Sequence, residues 1–285
     1  MLGVAVIAVV AMLIIPLPAM LLDFLLALSI MISIVALLTA MFNREIADFS
    51  VFPTLLLVST VYRLALNVSS TRLILAKGPA FEGQLIRAFG EFVVGNNYVI
   101  GFVVFIILVL VQMMVITKGA TRISEVSARF ALDALPGRQM AIEADITSGR
   151  VTEEEGRRRN ENLRREVDFY GQMDGATKFV QGDVRVGLII TTINIIGGLI
   201  IGMVMRGESL QTALKTYTLL TIGDGLVAQI PSLLITTATG MVVTRAGAKN
   251  DLTSELSVQM FQNARALYIT AGALFISSLV PGFPK

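Results

Sequence analysis

An all-α, polytopic transmembrane helix bundle is the fold class this sequence predicts, and three observations carry it. Hydrophobic residues make up 54% of the chain and charged residues 15%, with a mean hydropathy of +0.75, outside the range of soluble domains. Several apolar runs approach the ~20 residues that a helix needs to cross a ~30 Å hydrocarbon layer. None has the short alternating pattern of a membrane barrel. The reading is of about eight spans with a small cytoplasmic subdomain inserted between spans 4 and 5: residues 1–117 carry spans 1–4, 118–185 the subdomain, and 186–285 spans 5–8.

Composition also narrows the chemistry. The chain has no cysteine and no histidine, which removes thiol chemistry and histidine-based metal or proton sites and leaves carboxylates as the groups for any protonation switch. A formal charge of +2 is too small to imply nucleic-acid binding. There is no phosphate-binding Gly-rich loop, no paired-His zinc helix and no nucleophile elbow. Catalytic residues, metal ligands and cofactors are therefore not expected, and the chain is not read as an enzyme. The first apolar run lacks the basic lead of a cleavable signal peptide.

Taken in order, span 1 runs from about Leu2 to Ile15 and turns at Pro16–Pro18 into span 2, about Met20 to Phe42. Asp23 lies just inside span 2, either reaching the headgroups or facing a wet bundle interior. A short polar loop, 43–48, is placed in the cytoplasm. Span 3 begins near Val51 and carries Arg63, Asn67, Ser70, Thr71 and Arg72. An unpaired Arg63 at that depth costs at least ~2.5–3.5 kcal/mol, so it requires a partner. Asn67 and the hydroxyls on the same face suit interhelical hydrogen bonds.

Lys77 to Asn97 is a Gly-rich connection on the far side, with an amphipathic piece from Leu85 to Phe92. Span 4, Tyr98 to Thr117, leads to Lys118 and Arg122, placed in the cytoplasm by the positive-inside tendency. Span 5 is Val186 to Met205. The apolar region Thr216 to Thr244 is interrupted by Gly223-Asp224-Gly225 and by Pro231 and is expected to form two half-length helices meeting at Asp224. Asp224 is a candidate for proton gain and loss, or for capping the second half-helix. The last span is Ala266 to Leu279. The basic pair Arg245 and Lys249 fits seven spans better than eight, which leaves the topology after Arg206 open.

The polar segment Lys118 to Arg185 holds more than half of the chain's charged residues. Glu125, Arg129 and Asp133 are spaced by four and are expected to stack as a ladder. Pro136-Gly137 is expected to break that helix; beyond it, Met140 to Ile146 fits a strand or a helix, with helix slightly favoured. Arg138 stands near Glu143 and Asp145 in sequence. Thr152 with Glu155 forms a capping-box pattern opening a polar helix whose pairs, such as Glu155/Arg159, contribute only ~0.2–0.5 kcal/mol each.

Long, ordered stretches carry a resemblance to a known family: Phe52–Leu57, Tyr62–Arg72, Ile116–Ala120, Arg122–Asp133, Leu135–Asp145, Asp168–Asp183 and Thr221–Pro231. Across essentially its whole length the chain resembles the membrane half of the major export-gate proteins of type III secretion (the FHIPEP family), shared by flagellar and virulence-associated injectisome systems, with the injectisome branch favoured. The resemblance implies a multi-pass protein of the bacterial inner membrane. It also implies a homo-nonameric ring that contacts other export-apparatus subunits and couples proton motive force to translocation of unfolded proteins. Secreted substrates and their chaperones would be received by a large C-terminal cytoplasmic domain beyond Lys285, so the chain is expected to be a piece of a longer protein. Glu143 stands where the family commonly has Asp, and Arg138 where it commonly has Lys.

Candidate coupling residues are Asp23, Arg63, Asn67, Arg72, Arg138, Glu143, Asp145 and Asp224. Glu125, Arg129, Asp133, Asp174, Lys178 and Asp183 are candidates for the subdomain interface. Two other readings stay open: a proton-coupled transporter or channel for small solutes, which expects internal repeats that the sequence lacks, and a structural ring scaffold.

Overall fold

The computed structural model describes residues 2–43, 49–95, 97–244 and 252–278, and among them the structure is helical without strands. The described residues form ten α-helices in order: α1 Leu2–Ile14, α2 Ala19–Phe42, α3 Phe52–Lys77, α4 Gln84–Val94, α5 Tyr98–Val111, α6 Lys118–Thr147, α7 Glu153–Ile200, α8 Leu210–Thr244, α9 Leu252–Phe261 and α10 Ala264–Ser278. A π-helical stretch, Gln112–Thr117, joins α5 to α6, and a second, Ile201–Met205, ends α7. Among the described residues, five helical units are long and apolar enough to cross a membrane: α2, α3, the continuous α5–α6 rod, α7 and α8. The chain is an all-α membrane helix bundle.

Its core is organised on α8, which packs against α2, α4 and α7, while α3 lies on α7. One apolar cluster gathers Leu22, Leu66, Ile74, Phe81, Ile86, Tyr217 and Val227 around one end of α8. A second gathers Phe52, Leu56, Tyr170, Met173, Ile235 and Ala238 around the other. Much of the outer surface of α2 and α5 is exposed and apolar, including Phe24, Met31, Val103 and Ile107, as lipid contact requires.

Two expected breaks are absent. Pro136 lies inside an unbroken α6. The ring removes a backbone donor, but this stretch of α6 is exposed at Leu132 and Pro136, so solvent can satisfy the carbonyl left free. Residues 140–146 are accordingly helical, not a strand. The Thr216–Thr244 region is likewise not two half-helices: α8 runs through Gly223, Asp224, Gly225 and Pro231. Its glycines serve close packing. A Cβ on Gly223 would collide with the backbone carbonyl of Ile86 in α4, and one on Gly90 of α4 would meet the carbonyl of Leu219. Small residues here bring two helix backbones together.

Segment 118–185 is a helical hairpin continuous with the spans on either side of it. A 48-residue α7 is ~72 Å long at 1.5 Å per residue, more than twice the apolar layer, so its polar half extends well past it. Thr152 caps α7 by accepting from the Glu155 amide at 3.3 Å. The amphipathic piece expected near Leu85–Phe92 is α4. The loop charges at 44–48, the pair Arg245 and Lys249, and residues 279–285 lie outside the described residues.

A charged polar cavity between α3, α7 and α8

Arg63 projects from α3 into the bundle with a side chain only 3% exposed, and its Nη2 donates to Asp183 Oδ2 on α7 at 2.6 Å. A cation this deep needs a counter-charge, and α7 supplies it. Nε and Nη1 of Arg63 and Oδ1 of Asp183 are buried without a protein partner, which leaves unused hydrogen-bonding capacity at the pair. Three turns further along α7, on the same face, Asn194 Nδ2 donates to Asp224 Oδ2 of α8 at 3.2 Å. Ser70 of α3 lies against the same carboxylate.

Both carboxylates open onto one cavity of about 50 Å³ whose polar lining comes from Asn67, Gln112, Asp183, Thr191, Asp224, Gln229 and Ser232. The π-helical stretch matters here. Widening the turn at Gln112 brings this amide, 6% exposed, into the cavity wall. A polar space of this size can hold a few water molecules between groups with unused donors and acceptors. Chemically the site offers two carboxylates, one paired with a guanidinium and one held by a neutral amide, in otherwise apolar surroundings.

The remaining candidate residues divide by location. Asp23 and Arg72 sit at helix ends. Asp23 on α2 accepts the Gln84 and Leu85 amides at 2.7 and 3.3 Å, capping α4 from a neighbouring helix. Arg72 donates to the Ile14 and Leu13 carbonyls at 2.7 and 3.0 Å, closing the C-terminus of α1. Arg206 does the same for α3 through the Leu75 and Ala76 carbonyls, and its Nη1 reaches the Tyr217 hydroxyl at 2.7 Å.

Arg138, Glu143 and Asp145 do not form one cluster. Arg138 joins α6 to α7 through Glu166 at 2.9 Å, Asp145 pairs with Arg150 and Arg159 at 3.2 and 3.6 Å, and Glu143 is exposed. Glu125 bonds Arg122 at 2.9 Å and only approaches Arg129, at 3.9 Å, while Asp133 is exposed, so the expected ladder is reduced to one loose rung. Asp174 and Lys178 pair along α7 at 2.6 Å. Asp183, placed by its sequence neighbourhood at the subdomain interface, is instead the buried partner of Arg63. Asn194, Gln112, Gln229 and Ser232 were missed. The available signal was a single amide in each of two apolar spans, with Asn194 eleven residues, or three full turns, beyond Asp183.

A cavity with two carboxylates, set between membrane-length helices, defines a polytopic helical membrane protein with charged groups stationed between its spans. The chain belongs to the FHIPEP family, whose family model matches residues 9–285. It is 53% identical over 286 residues to the flagellar biosynthesis protein FlhA of Borreliella burgdorferi, covering 99% of this chain and 41% of that protein. It is 50% identical over 280 residues to FlhA of Salmonella typhimurium, covering 97% of this chain and 40% of that protein. With FlhA of Bacillus subtilis the identity is 51% over 273 residues, 96% of this chain and 40% of that protein. The chain thus spans about two-fifths of the length of these relatives. They are flagellar proteins and lend no support to the injectisome branch. No solved structure matches the chain.

Proposed function

We propose that this chain is the membrane part of a flagellar-type protein export gate in the bacterial inner membrane, and that it couples proton motive force to export through the Asp183/Asp224 cavity. The observation that carries this reading is the pair of carboxylates on one water-sized cavity between membrane-length helices. Intramembrane carboxylates are costly and are typical of proton relays. A proton entering the cavity can neutralise Asp224, or weaken the Asp183–Arg63 pair, and change the contacts that α7 makes with α3 and α8. Family membership and the flagellar relatives support the export assignment. A homo-oligomeric ring, with nine copies as the resemblance implies, belongs to the same proposal, as do contacts with other export-apparatus subunits. So does delivery of substrates and chaperones through the part of the relatives that this chain does not span.

Cavity size weighs against the small-solute transporter: about 50 Å³ falls far below the ~300 Å³ or more of typical small-molecule sites. The test is proton entry into vesicles containing the chain under an imposed gradient. Asp183→Asn and Asp224→Asn should each reduce it at equal protein density. Entry at the wild-type rate in both variants would remove the cavity from the mechanism.

A further inference from the structure

We infer that Asn194 is a positioning residue for Asp224, an amide that partners the carboxyl group in both of its protonation states and so ties the state of α8 to α7. The inference deepens the proton-coupling reading above and rests on it. Asn194 is fully buried. Its Nδ2 donates to Asp224 Oδ2 at 3.2 Å, while its own Oδ1 is buried without a partner. That asymmetry suits an ionised acid, which can only accept.

When a proton from cavity water adds to Asp224, one oxygen becomes an O–H donor. An unused acceptor on the residue already bonded to it is Asn194 Oδ1, brought round by a half-turn of the amide about Cβ–Cγ. The contact changes from N–H donating to carboxylate into O–H donating to amide oxygen, with the proton retained on Asp224. A leucine could serve neither state and a lysine only one; an amide serves both.

Across the α7–α8 contact this exchange falls to Asn194. The charged group sharing the cavity with Asp224 is Asp183 on α7, itself bonded to Arg63 of α3. Beside Gly223, α4 presents Ile86 and Gly90, while Phe105 of α5 lies on Gly225 and Gln112 lines the cavity; all are neutral. Ser70 of α3 is uncharged and lies on the same carboxylate, with its hydroxyl donating to the Asn67 carbonyl at 3.0 Å, and Asp23 of α2 is held by the amides of α4. Because Asn194 and Asp183 occupy the same face of one unbroken helix, a change at Asn194 acts on the rod that carries the Arg63 partner and continues into the polar hairpin.

Infrared difference spectra of the chain in lipid nanodiscs test this, with the Asp224→Asn spectrum subtracted to isolate the Asp224 carboxyl band. In the wild type that band should appear as pH falls, and the Asn194 amide band, isolated with ¹³C-asparagine labelling against Asn194→Ser, should shift on the same titration. Asn194→Leu should move the carboxyl band towards that of a more weakly bonded acid and raise the midpoint by up to about one pH unit, because the amide's bond to the carboxylate is stronger than its bond to the neutral acid and only the difference shifts the titration. Asn194→Ser, which keeps a donor and an acceptor, should recover most of that displacement. A carboxyl band and midpoint unchanged in Asn194→Leu would overturn the inference, and so would an Asn194 amide band that stays still while Asp224 takes up its proton. A wild-type spectrum without any Asp224 band would instead overturn the proton-coupling reading itself.

Discussion

Arg63 and Asp183 are 120 residues apart in sequence and 2.6 Å apart in the bundle, where they join α3 to α7 as a buried ion pair. Burying either charge alone is far more costly than burying both. Arg63→Ala should therefore destabilise the chain by about 3–5 kcal/mol, with Arg63→Lys intermediate because an ammonium lacks the planar fork. Removing both charges as Arg63→Met with Asp183→Leu should restore most of the stability. Thermal unfolding in detergent measures the order: a double variant less stable than Arg63→Ala would contradict the pairing argument.

Asp224→Asn separates charge from shape. Continuity of α8 through position 224 removes the role of capping a second half-helix, so an isosteric amide should leave folding intact. Export driven by the proton gradient should be lost while the protein accumulates to normal levels. Secretion at the wild-type rate would exclude Asp224 from coupling.

Contact between α4 and α8 depends on two glycines. Gly223→Ala or Gly90→Ala places a methyl against a backbone carbonyl of the other helix, and such overpacking should cost about 1–3 kcal/mol. Gly171→Ala is the contrast, since a Cβ there meets open space on an exposed face of α7; helix propensity should make it stabilising by up to ~1 kcal/mol. Melting temperatures that move together in all three variants would contradict this distinction.

Arg206 closes α3 by bonding two terminal carbonyls and the Tyr217 hydroxyl. Its loss in Arg206→Ala should loosen the α3–α8 contact by ~1.5–3 kcal/mol, the scale of a charged hydrogen bond. Protease cleavage near Gly78 should rise accordingly. By contrast Glu166→Gln, which breaks a half-exposed pair with Arg138, should change stability by no more than ~1 kcal/mol. Cleavage of Arg206→Ala at the wild-type rate would show that the cap is dispensable.

Much was legible without tertiary structure. Helical class, membrane character, the amphipathic α4, the Thr152 cap and the need of Arg63 for a partner all follow from local composition and spacing, because a helix satisfies its backbone internally and its apolar stretch is read directly against the bilayer. What the local pattern could not decide was which breakers break and which charges meet. Pro136, Gly223 and Pro231 read as interruptions, yet in α6 solvent can take up the freed carbonyl, and α8 continues through its breakers while its neighbours use the glycines for contact. Asp23 and Arg72 looked like members of a polar relay, but the unsatisfied ends of α4 and α1 claim them. The cavity itself depends on Asp183 and Thr191 of α7 lying opposite Asn67 of α3 and Asp224 of α8. Only packing of three distant segments creates that juxtaposition, since the energy of a buried charge depends on what surrounds it and not on its neighbours in sequence.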